Sequence, residues 1–269
     1  MGAAPRCASV RLDPWNAVRC VGPAACWIAG LAGSPRARPL LVTVLKIVLG
    51  PWLLLQGRRV RRETPMLPEP EGPRSGGSGG FRLLVVGDSS GAGVGAGRFE
   101  ETLTGRLIEG LGGPGAVTWT VIARTGWTTS NALMALADLE GPFDLAVTAL
   151  GVNDVTADLP VETAASLHSR LLEELTGRLQ ARRVAVSTMP PIGRFPALPW
   201  PLRAYLGLRA DRYDAALDAV AKRYGNVHRV RPAENMDASR MASDGFHPGE
   251  PVYREWSQRV LKVVGCGSG

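Results

Sequence analysis

Four short stretches hold the side chains whose types and spacing could do chemistry: Gly87-Asp88-Ser89, Arg124-Thr125-Gly126-Trp127, Gly151-Val152-Asn153-Asp154 and Asp244-Gly245-Phe246-His247. A serine hydroxyl is inert until a base takes its proton. His247 can be that base, because imidazole changes charge near neutral pH. Asp244, three residues earlier, can accept from the other ring nitrogen, fixing the tautomer and stabilising the imidazolium. Attack by Ser89 on a carbonyl carbon would develop an oxyanion. Three donors are on offer for it: the Ser89 N–H, the Gly126 N–H and the Asn153 side-chain amide. Gly126 suits that work because a missing Cβ lets substrate approach the backbone. Singly, each stretch is also ordinary turn or cap chemistry, as Asp-Gly, His-Pro-Gly and Asn-Asp are. Their complementary roles join them. The remaining histidines, His168 and His228, fall mid-helix and at a strand end and read as packed or solvated.

Such residues work only if the fold brings them together. From Phe81 onward, apolar runs alternate with segments whose apolar residues recur at three-to-four spacing. Strands are predicted over Phe81–Gly87, Val117–Ala123, Phe143–Leu150, Val184–Thr188 and Val227–Val230. Helices are predicted over Phe99–Leu111, Thr129–Leu139, Val161–Ala181, Arg209–Tyr224 and Pro251–Val264. Largely apolar strands between amphipathic helices imply an α/β fold, a parallel sheet covered on both faces. Ser89, Gly126 and Asn153 each follow a strand and would gather at the carboxyl rim of such a sheet, where open α/β folds bind ligands. Asp244 and His247 precede the last helix and would join them.

In order, Gly87-Asp88-Ser89, Gly126, Gly151-x-Asn153-Asp154 and Asp244-x-x-His247 resemble the four blocks of the SGNH (GDSL-like) hydrolase family, a likeness running from Phe81 to the C-terminus. The resemblance implies a flavodoxin-like three-layer α/β/α sandwich around a five-stranded parallel sheet. It also implies a cofactor-free enzyme that cleaves small-molecule or lipid esters, or thioesters, with Ser89 as nucleophile. Asp244 and His247 would complete the triad, and Gly126 and Asn153 would serve the oxyanion. Ser90 stands where the family name has leucine. Transfer of the acyl group to an acceptor other than water would use the same triad. A rival class, a dinucleotide-binding module, would use the loop Gly91–Gly97, where Gly91-x-Gly93-x-x-Ala96 fits a glycine-rich fingerprint. Those glycines begin well past the strand end, and that reading leaves Asn153, Asp244 and His247 without a role.

With 269 residues, 45% of them hydrophobic, the chain can bury a full core in one main domain. Its net charge of +7 is concentrated near the N-terminus, in Arg36, Arg38, Arg58, Arg59, Arg61 and Arg62. No aromatic-interleaved basic stripe accompanies it, which argues against nucleic acid, and an anionic membrane surface fits the cluster better. Residues 1–38 lack periodicity and suggest a disordered leader, or upstream sequence that a different start site would omit. Residues 39–62 form an apolar segment with a basic flank, interrupted by Lys46, Gly50 and Pro51. Two readings stand for it: a membrane-associated or marginally spanning helix with cytoplasmic arginines, or a helix packed on the body. The expected location is the cytoplasm, at a membrane surface on the first reading, with an extracytoplasmic place left open. Residues 63–80, rich in Pro, Gly and Ser, read as a linker, residues 81–265 as the hydrolase domain and 266–269 as a tail. Cys7, Cys20, Cys26 and Cys266 show no metal-ligand spacing and read as free thiols. Finally, Met189–Gly207 carries prolines that disfavour helix and predict a long extended loop on the Ser89 rim. Its apolar Phe195, Leu198, Trp200 and Tyr205 are expected to bind substrate.

Overall fold

The computed structural model describes residues 38–265. The four cysteines, the tail and all but the last residue of the expected leader lie outside that span. Of residues 1–41, only the helical backbone of 38–41 is described; Val42 onward forms one compact unit.

The core follows from strands that are apolar on both sides. Strand β2 (Phe81–Gly87) sends Leu83 and Val85 to one face of the sheet and Leu84 and Val86 to the other, all fully buried. On the first face they meet helices α3 (Leu103–Gly110) and α8 (Glu250–Val263) through Leu107, Tyr253, Trp256 and Val260. On the second they meet α4 (Thr129–Ala135), α6 (Val161–Glu173) and the end of α7 (Leu202–Ala221) through Ala132, Leu171, Leu172 and Val220. This is the three-layer sandwich expected of continuous apolar strands.

The sheet has six strands rather than five, in the order β1 (Ser75–Gly76), β3 (Val117–Ala123), β2, β4 (Leu145–Ala149), β5 (Arg183–Ser187) and β6 (Val227–Val230). Strands β2, β3, β4, β5 and β6 are parallel, and counted alone they run 2-1-3-4-5, the flavodoxin-like order. Gly87 pairs with Ala123 on one side and Ala149 on the other, so three strands end level. The extra strand, β1, is antiparallel to β3.

That strand revises the expected linker. Residues 63–80 lie against the domain, because Glu69 pairs with Arg74 and its Oε1 accepts from the Thr125 amide at 2.8 Å and the Thr125 hydroxyl at 2.7 Å. The loop expected over Met189–Gly207 is also shorter. It makes a helical turn at Ile192–Arg194, and α7 starts at Leu202, seven residues before the predicted helix. The N-terminal segment forms helix α1 (Arg38–Glu63), whose Val42 and Leu53 join a third apolar cluster with Phe195, Leu198, Leu202 and Tyr205. No helix among the described residues is long and apolar enough to cross a membrane.

Glu69 is thus a clamp on the turn that carries Gly126. Glu69→Ala removes two hydrogen bonds and an ion pair, and is expected to lower unfolding free energy by about 1–2 kcal/mol in urea titration. An unchanged midpoint would show that the Pro-rich segment only rests on the turn.

Candidate active site

Strand β2 stops at Gly87, and the chain turns at once into the short helix α2 (Ser89–Ala92). The turn is tight: a Cβ on Gly87 would come within 2.6 Å of the Gly91 Cα. Asp88 caps the helix, its carboxylate accepting the Ser90 N–H at 2.9 Å. Ser89 therefore sits in the first helical turn, where backbone amides have no carbonyl within the helix. Gly93 ends α2 at φ 92°, and a side chain there would strike Thr102. The glycines of the supposed dinucleotide fingerprint are thus spent on turning and packing.

The second part comes from the loop before α8. Its ends are tied by a bridge between Met241 and Pro248 and by the His247 carbonyl accepting the Ala242 N–H at 2.9 Å. Within it, Asp244 Oδ1 accepts from the Phe246 and His247 amides at 2.9 and 3.0 Å. Asp244 Oδ2 lies 2.5 Å from His247 Nδ1, and His247 Nε2 lies 2.9 Å from Ser89 Oγ. Burial alone would raise the Asp244 carboxyl, but the bonds from the His247 ring and the two amides leave it below its ordinary pKa. Ser89, His247 and Asp244 thus stand in one hydrogen-bonded line.

Of the expected oxyanion donors, Asn153 follows β4 in α5 (Val152–Thr156) and faces the same cavity as Ser89. One N–H of its amide goes to the Trp127 carbonyl at 2.9 Å, which orients the group and leaves a second N–H. Gly126 sits in the turn after β3, closed by the Trp127 N–H on the Arg124 carbonyl. Its φ of 82° requires glycine, and the space where a Cβ would stand is open. That turn begins beside the end of β2, where the Arg124 N–H meets the Gly87 carbonyl at 3.3 Å, but Gly126 is not part of the cavity wall.

The cavity is about 570 Å³ counted out to its open mouth, and it runs from Ser89 across the ends of β4 and β5. Its apolar wall includes Leu150, Val152, Pro190, Phe195, Met236 and Phe246. Phe195 meets Phe246 edge-on at 5.2 Å, and Phe246 meets the His247 ring at 5.4 Å. Among the four residues expected to bind substrate, only Phe195 lines this cavity. Leu198 and Tyr205 are buried in the cluster with Leu53, and the Tyr205 hydroxyl donates to Asp158 at 2.9 Å. Trp200 is 67% exposed. The cluster that holds Leu198 and Tyr205 also takes in Val42 and Leu53 of α1. Met236 and Trp256, which also line the cavity, escaped sequence reading because they lie far along the chain from Ser89 and follow no motif.

The sequence profile of the GDSL-like lipase/acylhydrolase family matches residues 85–255. "GDSL-like esterase Rv1075c" of Mycobacterium tuberculosis is 29% identical over 184 residues, 64% of this chain; the match covers 57% of that protein's own length. Solved structures share the fold at low identity. A lipase from a goat rumen metagenome aligns with a TM-score of 0.53 at 19% identity, covering 70% of this chain and 98% of its own. A lipolytic G-D-S-L protein of Veillonella parvula aligns at 0.55 and 14%, covering 69% and 98%.

One site residue missed as a participant is Asp88. Burial drives its carboxyl up to about 7, with the Ser90 amide and His247 opposing and Asp154 adding to the rise. An acid whose pKa is higher folded than unfolded holds its proton more tightly in the native state. Its contribution is therefore complete below about pH 4 and is lost as pH rises toward 7. Asp88→Asn keeps an oxygen for the Ser90 N–H and removes the buried charge. It is expected to be more stable than wild type at pH 8, by up to a few kcal/mol, and close to it at pH 4. Equal differences at both pH values in denaturant titration would dismiss the buried charge as the cause.

Proposed function

Because the chain belongs to the GDSL-like lipase/acylhydrolase family, we propose that it is a serine esterase that hydrolyses carboxylic esters through an acyl-enzyme on Ser89. The observation that carries the reading is the line from Asp244 Oδ2 through His247 to Ser89 Oγ, at 2.5 and 2.9 Å. Ser89 Oγ attacks the ester carbonyl carbon as His247 Nε2 takes its proton. Asp244 holds the Nδ1–H and balances the imidazolium. The Ser89 N–H and the second Asn153 N–H, both at the cavity, are the donors for the oxyanion, and the resemblance to the family adds the Gly126 N–H from the neighbouring turn. Collapse breaks the bond to the leaving alcohol, which receives the proton from His247. A water, deprotonated by His247, then attacks the acyl-enzyme, and the free acid departs.

The apolar wall favours an uncharged acyl group, and Phe195 limits its length. Transfer of the acyl group to another acceptor would share every step up to the acyl-enzyme, and product analysis separates it from hydrolysis by asking whether free acid accumulates.

Three sets of variants test the reading with p-nitrophenyl esters of graded chain length. Ser89→Ala and His247→Ala are expected to lower kcat by at least about 10³ without loss of fold, and Asp244→Asn by less than His247→Ala. Wild-type rates in either alanine variant would end the proposal. Asn153→Ala is expected to lower kcat by about 10²–10³ with little change in KM. Phe195→Ala should move the optimum to longer acyl chains, whereas Trp200→Ala, outside the cavity, should leave the profile where it is.

A further inference from the structure

Helix α1 is apolar on two opposite faces, and the domain covers only one of them. Val42, Leu49, Leu53, Gln56 and Val60 recur at spacings that keep them on one side, and they are buried or half-buried against the body. Val44, Val48, Pro51 and Leu55 recur on the other side, flanked by Ile47 and Leu54. Ile47 is 75% exposed, Val48 69% and Leu54 67%. This outward stripe runs into Arg58 and Arg62, with Arg59 and Arg61 alongside. Arg59 is held by Glu63, while Arg58, Arg61 and Arg62 have no acidic partner among the described residues. Trp52 is 56% exposed on the same helix. Trp200 is exposed beside it, its carbonyl accepting the Gln56 amide at 2.8 Å.

We propose that this outward face of α1, with Trp52 and Trp200 at its margins, docks the protein onto an anionic lipid bilayer. The occupant follows from the chemistry of the face. Aliphatic side chains beside a run of arginines and exposed indoles match the acyl boundary, the phosphate layer and the level between them. The helix lies on the membrane rather than crossing it. Its other face is fixed to the domain through Leu53 and through Gln56, which also accepts the Leu202 N–H at 3.1 Å. The loop that receives α1 carries Phe195 on the cavity wall. The same loop bonds to the triad segment, the Ala197 N–H donating to the Gly245 carbonyl at 3.3 Å. Docking would therefore put the neighbourhood of the cavity close to the lipid surface.

The test is flotation of the full chain with vesicles of phosphatidylcholine alone and with about one third phosphatidylglycerol. It is run on wild type and on Ser89→Ala, so that binding is scored apart from catalysis. The chain is expected to float with the anionic vesicles, and less so at high salt. Arg58→Glu/Arg62→Glu should weaken binding by about fivefold or more for each arginine. Ile47→Ser/Leu54→Ser/Leu55→Ser should weaken it by more than about tenfold. These positions are exposed, so an unchanged melting temperature is expected to accompany the loss. A chain that stays with the dense fraction, or variants that float as well as wild type, would overturn the proposal. A dimer in sedimentation velocity that the triple-serine variant dissociates, without vesicle binding, would also overturn it and assign the face to a second copy.

Discussion

A carboxylate removed from water persists as an anion only where donors surround it, and Asp244 has three: two amides of its own loop and the His247 ring. The rest of the site depends on that arrangement. The amides hold the carboxylate, the carboxylate fixes the ring, and the ring presents Nε2 to Ser89. The loop can do this because its ends are pinned to each other, so that the Phe246 and His247 amides converge on one oxygen. Ser89 meets it from the far side, at the end of a strand buried between two layers of helix. A shift of either support by an ångström would break the line.

The loop between β5 and α7 has two neighbours that are remote in sequence. One is the loop holding Asp244 and His247, reached by the Ala197 N–H; the other is α1, reached by the Trp200 carbonyl. Its buried Leu198 shares an apolar cluster with Val42 and Leu53 of α1, and Phe195, in the same cluster, also lines the cavity. An apolar loop near a catalytic rim is therefore not by itself a binding wall. The same composition serves as the seat of a helix when another apolar segment of the chain needs cover.

What the sequence disclosed, and what it hid, divides along the range of the interactions. Ser89, Asp244 and His247 were readable because each lies in a short stretch with its own turn chemistry, and the strands were readable because burial on both sides leaves continuous apolar runs. The division of labour among Phe195, Leu198, Trp200 and Tyr205 was not, since it rests on Leu53 and Gln56, well over a hundred residues away. Asp88 looked like part of a motif, but its burial depends on the layers closing over it. Strand β1 carried no signal at all: a serine and a glycine make a strand only because β3 offers its backbone.

Those two residues matter out of proportion to their number. The seven-residue β3 would otherwise present a row of unpaired amides and carbonyls along its outer side. The Ser75–Gly76 backbone and the Arg74 carbonyl, which accepts the Val121 N–H at 2.7 Å, cover part of that row. An open row of this kind is a template for another molecule's strand. A fragment cut at Phe81, where hydrophobic patterning alone would begin the domain, would keep Ser89, Asp244 and His247 yet bare this edge. Ser75 and Gly76 thus close part of a sheet edge with backbone alone, without a side chain that sequence patterning would notice.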